Sequence, residues 1–318
     1  MATITNLDVL PPKVRQRSAA KLLAISVPYL IHCHLAERHD YPENEGDILV
    51  ARRYNKFAPV PTPLDMVTNP PSQVQTYTDV RTQIFWYGTN CIVTKDVQAT
   101  NEDPVLNRVI FNLGVCWKET EDILVRKTME AVPSFVNCVG GSNGDSPTNV
   151  SDDDIDDFVT TLSSRDAEFV TNQIDAQDKF GTGPVPDAYV CMAHSDILKD
   201  LRKLNRWQNK AEYPDKRGIK QFEYGQAENI RFWLSSQGSI ADELSAVFSA
   251  VTYNMMITGM ESYGKVDYRD PKSGFYLNAP GGHSDPNHLR AIAAFTLPMA
   301  SVMQNTDWFL KARCTLSS

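Results

Sequence analysis

The chain has 318 residues, 42% of them hydrophobic and 22% charged, which is ordinary for a folded protein of one elaborated domain or two modest ones. Its net charge of −8 argues against a dedicated DNA-binding surface, because phosphate binding requires clustered lysine and arginine. No segment approaches the roughly eighteen apolar residues of a membrane span. The six cysteines form no CxxC pair, which favours free, buried thiols in a reducing cytosol.

The N-terminal part of the chain predicts an extended arm followed by a helix. Residues 1–16 contain Pro11 and Pro12 and show little periodicity. Residues 18–37 are apolar on nearly every side, which predicts a helix that needs cover in several directions, with Pro28 kinking or dividing it.

The segment 47–97 predicts two long strands joined by a proline-rich tip. In its second half, 74–94, side chains alternate between two faces far beyond the length of a usual strand. At ~3.4 Å per residue, about twenty residues reach about 70 Å, whereas a compact chain of this length has a radius of gyration of about 20 Å. Unless it bends, this hairpin must project, and its apolar side chains then need cover from another chain.

A long helix and a shorter one are predicted next. Asp103 caps the first, Pro104 takes its first position and Pro133 ends it, giving an apolar stripe along roughly 43 Å. Ser151 caps the second, in which apolar residues recur at helical spacing.

The remainder predicts mostly strands. Asp187 to Met192 forms a buried strand, and Ser195 caps a further helix. The last two strands, 289–303 and 308–314, are predicted to form a closing hairpin around the turn 304–307.

One motif indicates an enzyme. Residues 140–144 match the G-x-S-x-G nucleophile elbow, with Ser142 as nucleophile and His283 as a later base. The elbow requires a helix directly after the serine, whereas residues 145–149 have the composition of a loop. A turn is therefore the favoured interpretation, and no catalytic residue is predicted.

The metal-like clusters also have simpler explanations. The aspartates of 152–157 fail as a calcium loop, since the sixth position is Asp157 instead of glycine and the twelfth is Ser163. They instead complement the helix dipole. His32 and His34 point in nearly opposite directions on a helix, so they cannot chelate one ion. No metal or cofactor site is predicted.

Cations near the base of the hairpin admit two interpretations. Arg52, Arg53 and Lys56 are weak evidence for nucleic-acid binding, and pairing with carboxylates of a neighbouring subunit explains them equally well. The predicted subunit-interface residues are Arg52, Arg53, Lys56, Phe57, Tyr77, Arg81, Phe85 and Trp86.

Short motifs along nearly the whole chain, in order and spacing, resemble the major capsid proteins of tailed double-stranded DNA phages, in the family typified by coliphage N-four. The motifs are Lys21-Leu22-Leu23, Pro42 to Gly46, Arg52 to Phe57, Gly140 to Asn143, Ala193 to Asp196 with Asp200 to Arg202, Gly259 to Gly264, Asp285 to Arg290 and Gln304 to Trp308.

The resemblance implies an α+β fold like that of phage Hong Kong 97. Such a fold has an N-terminal arm, an extended E-loop hairpin, a peripheral domain with a long spine helix, and an axial domain. The corresponding ranges are 1–45 for the arm and first helix, 46–96 for the E-loop, 97–180 for the peripheral domain, 181–285 for the axial domain, and 286–318 for closing strands that return to the peripheral domain.

The resemblance also implies a non-enzymatic subunit that assembles into hexamers and pentamers of an icosahedral shell around double-stranded DNA. The expected partners are other copies of the chain, a scaffolding protein, a portal protein at one vertex, a decoration protein and the DNA, contacted non-specifically, with no cofactor and no membrane. The protein is expected in the virion, after assembly in the host cytoplasm. The alternatives are an encapsulin-like shell around cargo enzymes and a serine hydrolase using Ser142.

Overall fold

The computed structural model describes most of the chain. The described residues are 4–5, 27–41, 46–63, 72–100, 105–139, 146–170, 187–213, 220–241, 251–268, 274–278 and 287–317.

Within these ranges the protein is α+β, with strands greatly outnumbering helices. The helices are α1 (Lys95–Thr100), α2 (Val105–Glu130), α3 (Asp152–Ser164) and α4 (Leu198–Leu201). The strands are β1 (Ile4–Thr5), β2 (Glu37–Tyr41), β3 (Ile48–Tyr54), β4 (Tyr77–Gln83), β5 (Phe85–Thr94), β6 (Val136–Asn137), β7 (Tyr189–His194), β8 (Trp207–Asn209), β9 (Glu223–Ala227), β10 (Ile230–Ser235), β11 (Thr252–Thr258), β12 (Tyr263–Tyr268), β13 (Gly274–Asn278), β14 (Arg290–Met303) and β15 (Phe309–Thr315).

The first sheet has six strands in the order β1-β5-β14-β12-β2, with β13 also paired to β14. Helix α2 packs on it, and the Trp117 ring stacks on Phe295 of β14 with 5.8 Å between centroids. Val125 and Met129 of the helix are fully buried. The long predicted helix is therefore confirmed over its described residues, and its apolar stripe faces a sheet.

The second sheet has seven strands in the order β6-β15-β11-β7-β10-β9-β8. The parallel pair β7 and β10 lies near its middle, and every residue of β10 is buried. Burial on both faces explains why Phe232, Trp233 and Leu234 of β10 are three consecutive apolar residues instead of alternating with polar ones. Helix α3 begins at the predicted cap, where Ser151 and Asp154 form a reciprocal capping box.

The closing hairpin was predicted wrongly, although its two strands were placed correctly. The strand β14 pairs with β5, β12 and β13 in the first sheet, whereas β15 pairs with β11 and β6 in the second. Both edges of each strand are occupied by other partners, so the turn between them connects two sheets.

The predicted helix 18–37 is also wrong over its described part, 27–37, while 18–26 lies outside the described residues. Residues 27–36 contain only a short 3-10 turn, His32–His34, and β2 follows. Pro28 offers no backbone donor to a helix. The nearly all-round apolar pattern reflects a segment packed between elements, with Ile31 and His32 fully buried.

The second half of the long hairpin bends at Ile84 and forms two strands. Ile84 is buried with Val266 and Ala300, and its N–H donates to the carbonyl of Asp47 at 2.9 Å. Before Ile84, β4 pairs with β3. After Ile84, β5 belongs to the first sheet. The stretch that looked too long for a globule is thus part ribbon and part sheet.

Candidate assembly interface

Strands β3 and β4 form a two-stranded antiparallel ribbon, in register from Ile48 opposite Gln83 to Tyr54 opposite Tyr77. The pairing continues where the N–H of Asn55 donates to the carbonyl of Thr76 at 3.0 Å. Among the described strands, neither β3 nor β4 has a further partner. A two-stranded ribbon is only marginally stable in water by itself, so this element needs cover from elsewhere.

The part of the ribbon away from its root is exposed on both faces. Every residue of 52–63 and 72–78 is exposed. The large hydrophobic side chains that face solvent here are Ile48, Val50, Tyr54, Phe57, Val60, Val74 and Tyr77. Exposed apolar ribbons with free edges promote association, which makes this ribbon the leading candidate for a subunit contact.

One ion pair organises the ribbon across its strands. The Arg52 guanidinium donates to both carboxylate oxygens of Asp79, with Nε–Oδ1 2.7 Å and Nη2–Oδ2 3.0 Å. It also lies 4.1 Å above the Tyr77 ring centroid, and the Tyr54 ring meets Tyr77 edge-on. The hydrogen bond raises the pKa of Arg52 and lowers that of Asp79. Arg52 therefore has a carboxylate partner in its own chain.

Lys56 also finds a carboxylate within the chain. Its Nζ lies 3.2 Å from Oδ2 of Asp166, just after α3. The two side chains remain 86% and 82% exposed, and ion pairs of this kind contribute little to stability. The contact brings the ribbon near α3 without fixing it there.

The other predicted interface residues fall into two groups. Arg53, Phe57 and Arg81 are exposed on the ribbon. Phe85 and Trp86 are about half exposed but belong to β5, where they pair opposite Met299 and Pro298 in the first sheet. The sequence reasoning missed the exposed Ile48, Val50, Tyr54, Val60 and Val74. Alternation along 48–54 was the signal that could have found the first three.

The root of the ribbon is fixed to the first sheet. Leu49 packs against the buried cluster of Ile84, Val266 and Ala300. The Thr82 hydroxyl donates to the carbonyl of Ser301 at 3.3 Å. The ribbon is therefore anchored at its base and unprotected beyond it, a geometry suited to reaching a neighbouring molecule.

Helix α2 is held to the N-terminal segment by a buried carboxylate. Asp122 accepts hydrogen bonds from the backbone N–H of His32 at 2.8 Å and of Cys33 at 3.1 Å, and its other oxygen lies 2.7 Å from His32 Nδ1. Burial, with the nearby carboxylates, raises the pKa of the Cys33 thiol. These contacts tie the middle of α2 to residues 32–33.

The C-terminal end of α2 is held to the second sheet. The buried Lys311 ammonium on β15 donates to the carbonyl of Glu130 at 2.9 Å and to that of Val132. Cations at this end of a helix satisfy carbonyls that lack helical partners. Burial lowers the pKa of Lys311. Helix α2 therefore packs on the first sheet and is hydrogen-bonded at its end to the second.

A second exposed apolar area lies beside α2. A groove of about 690 Å³ is lined on the helix by Phe111, Gly114 and Trp117, and opposite by Val27 and Phe275. About half of the surface of Phe111 and of Phe275 faces solvent.

The described residues carry little that indicates chemistry. None of them form a group of three or more His, Cys, Asp or Glu side chains arranged to hold a metal. Asp154 accepts hydrogen bonds from Ser151 and from the N–H of Val139, as a helix cap does. In the described part of the chain no helix has the length and hydropathy to cross a bilayer. Ser142 and His283 lie outside the described residues.

No protein-family model and no curated protein matches the sequence. Solved structures do match along nearly the whole chain. The capsid of Ralstonia phage GP4 has a TM-score of 0.63 at 10% identity, covering 99% of both chains. The head of Helicobacter pylori bacteriophage KHP40 gives 0.61 at 9%, covering 100% of this chain and 98% of that one.

The chain has a phage capsid-protein fold. The capsid of cyanophage Pam1 is a further neighbour, with a TM-score of 0.59 at 12% identity over 99% of both chains. The α+β capsid fold predicted from the sequence is therefore confirmed. For all three neighbours the coverage is nearly complete in both directions.

Proposed function

We propose that the protein is the major capsid protein of a tailed double-stranded DNA phage, a structural subunit that assembles into hexamers and pentamers of an icosahedral shell. The observation that carries this proposal is the ribbon of β3 and β4, anchored at its root and with large apolar side chains exposed along one face, in a chain with a capsid-protein fold. A subunit that worked alone would gain nothing from such a ribbon.

In this proposal the ribbon becomes buried on neighbouring subunits. Fully burying a large apolar side chain contributes about 1.5–3 kcal/mol, and the ribbon together with the segments 55–63 and 72–76 that continue it offers seven that now face solvent. Several must be buried together, because association first costs at least about 4 kcal/mol in lost translational and rotational freedom. Repetition of this contact around a shell makes each subunit both donor and acceptor of a ribbon.

Rigidity of α2 is the second part of the mechanism. Asp122 and Lys311 tie the helix to the N-terminal segment and to the second sheet. A stiff connection between the sheets lets one subunit hold its ribbon and its other surfaces in a fixed relation. The corresponding domain proposal is an arm at 1–45, an E-loop at 46–96, a peripheral domain at 97–180, an axial domain at 181–285 and closing strands at 286–318.

The charge distribution suits a shell that encloses DNA without binding it tightly. The net charge is −8, and Arg52 and Lys56 are engaged by Asp79 and Asp166. Weak, non-specific contact with DNA follows, since tight binding needs many free cations. Scaffolding, portal and decoration proteins are the further proposed partners, and the virion is the proposed location after assembly in the host cytoplasm. No enzymatic activity is proposed.

Electron microscopy of the purified protein, produced with and without its scaffolding protein, tests this function. We expect regular shells for the native chain and soluble subunits without stable shells after deletion of residues 59–71. Monomers under every condition would contradict the proposal. Shells that package an enzyme instead of DNA would indicate an encapsulin-like role, and an esterase activity lost on Ser142→Ala in a chain that never forms shells would indicate a hydrolase.

Point variants locate the contact more sharply. Phe57→Asp and Val60→Asp place a charge on exposed apolar positions of the ribbon segment, and we expect both to abolish shells while the subunit stays folded. The matched control is Thr160→Asp, an exposed position on α3. If the two ribbon variants assemble as readily as Thr160→Asp, the ribbon is not the contact.

A further inference from the structure

Two cysteines lie side by side where the segment after α2 meets the C-terminal strand. Strands β6 and β15 are parallel, with Val136 opposite Ala312 and Asn137 opposite Arg313. The next residue of each is cysteine, and the N–H of Cys138 donates to the carbonyl of Arg313 at 2.8 Å. The thiols of Cys138 and Cys314 are in hydrogen-bond contact.

The geometry suits a covalent bond. Neighbouring strands lie about 4.8 Å apart, and bridged cysteines have Cα atoms roughly 4.4–6.8 Å apart. We propose that Cys138 and Cys314 are a dithiol that closes into a disulfide when the protein meets an oxidised low-molecular-mass thiol, tying the C-terminal strand to the segment that follows α2. This inference does not depend on the proposed function.

The reaction is two thiol–disulfide exchanges. The thiolate of one cysteine attacks a sulfur of oxidised glutathione, forms a mixed disulfide and releases one glutathione thiolate. The second cysteine, once deprotonated, attacks the protein sulfur of that mixed disulfide and releases the other glutathione. The two cysteine protons go to the two released thiolates, and the two electrons lost by the cysteines reduce glutathione disulfide.

Access to the pair sets the rate of closure. Both cysteines are fully buried, and the contact between them together with burial raises the pKa of Cys138, which keeps the pair unreactive in the closed fold. However, β6 is only two residues long and lies at the edge of the sheet, with Phe135 and Val136 partly exposed. Short edge elements open locally at low free-energy cost, which would expose Cys138.

The disulfide would reinforce a junction already built by hydrogen bonds. Lys311, three residues before Cys314, donates to the carbonyls of Glu130 and Val132 at the end of α2. The disulfide would add a covalent link between the same two elements. A bond that closes so long a loop stabilises chiefly by restricting the unfolded chain.

Peptide mapping of the full-length protein tests the proposal. The folded protein is incubated with excess oxidised glutathione, its remaining thiols are blocked with N-ethylmaleimide under denaturing conditions, and it is digested without reduction. We expect one linked peptide pair joining Cys138 to Cys314, lighter by two hydrogen atoms than the sum of its parts. The urea unfolding midpoint of the oxidised, undigested protein should also rise, and reduction with dithiothreitol should reverse that rise.

Cys191 supplies the matched control, since it is equally buried in the same core. Cys191→Ala should retain the linked pair, and Cys138→Ala and Cys314→Ala should each lose it. Complete blocking of both thiols in the oxidised wild-type protein would overturn the proposal, as would a linkage of either cysteine to a different one. The wild-type result is decisive even if a variant fails to fold.

Discussion

The ribbon of β3 and β4 and the strand β10 are both rich in hydrophobic residues, yet their environments are opposite. All of β10 is buried inside a seven-stranded sheet, whereas every residue of the ribbon from 52 to 63 and from 72 to 78 is exposed. The apolar side chains of β10 are buried within the subunit. The ribbon has no such cover, so stability and assembly are encoded in different strands of one chain.

Substitution of two tryptophans, one buried and one exposed, should give the largest difference between the region that stabilises the subunit and the region that serves assembly. Trp233 of β10 is fully buried, whereas Trp86, at the start of β5, is 53% exposed. We expect Trp233→Ala to lower the free energy of unfolding by about 4 kcal/mol through the cavity it leaves. Trp86→Ala should cost less, about 1 kcal/mol, because about half of its surface is already exposed in the folded subunit. Urea unfolding of the unassembled subunit measures both.

The yield of assembled shells should separate the same two variants in a different way from their stability. Trp86→Ala should fold normally and assemble poorly, because Trp86 lies among the predicted interface residues at the ribbon's base. Equal losses of stability from the two variants would show that the exposed region contributes to the folded subunit as much as the core does.

Asp122→Ala is expected to have the next largest effect. It removes the acceptor for His32 Nδ1 and for two backbone donors, all in the buried contact between α2 and the N-terminal segment. Leaving such groups unpaired should cost about 3 kcal/mol. Asp153→Ala, exposed in the first turn of α3, is the control. Similar unfolding midpoints for both variants would mean that Asp122 does not anchor the helix.

Lys311→Met should cost less, about 1–2 kcal/mol, because the carbonyls of Glu130 and Val132 lose a donor while the apolar packing is kept. The variant also has a pH signature. Burial lowers the pKa of Lys311 in the folded state, whereas an unfolded lysine titrates near about 10.4. The unfolded chain therefore binds more protons between these two values, and the free energy of unfolding rises with pH in that window.

Urea titrations at several pH values below about 10.4 measure that slope. We expect the native chain to show it and Lys311→Met to lose part of it. Lys199→Met, on the short helix α4, should leave the slope unchanged. An identical slope in all three proteins would show that the ammonium of Lys311 is not buried in the folded state.

The sequence predicted the parts of the fold that depend on local signals. Ser151 was identified as a helix cap from its residue type and position, and the 3.6-residue periodicity of α2 located that helix. Both signals are contained within a few turns of chain. The ribbon was found for the same reason, since exposed alternation is visible without any knowledge of partners.

What the sequence could not show were the long-range pairings. The bend at Ile84 depends on Val266 and Ala300, which are remote in sequence, and the separation of β14 from β15 depends on pairing with strands far along the chain. The segment 27–36 shares its apolar composition with a buried helix, because any segment packed on all sides needs apolar residues at most positions. At the candidate interface, Arg52 pairs with Asp79 and Lys56 with Asp166. These pairs depend on the strand register and on the position of α3, which local sequence patterns do not specify.

Arg52→Ala should have the smallest effect on the isolated subunit and still separate the two regions. Its pair with Asp79 lies on the exposed ribbon, so we expect no resolvable change in global unfolding. Amide hydrogen exchange should instead accelerate along β3 and β4, because the cross-strand contact and the cover over Tyr77 are both lost. The effect should be confined to the ribbon and absent from β7 and β10. Faster exchange in the seven-stranded sheet as well would mean that the ribbon and the core unfold as one unit, and that stability and assembly are not separately encoded.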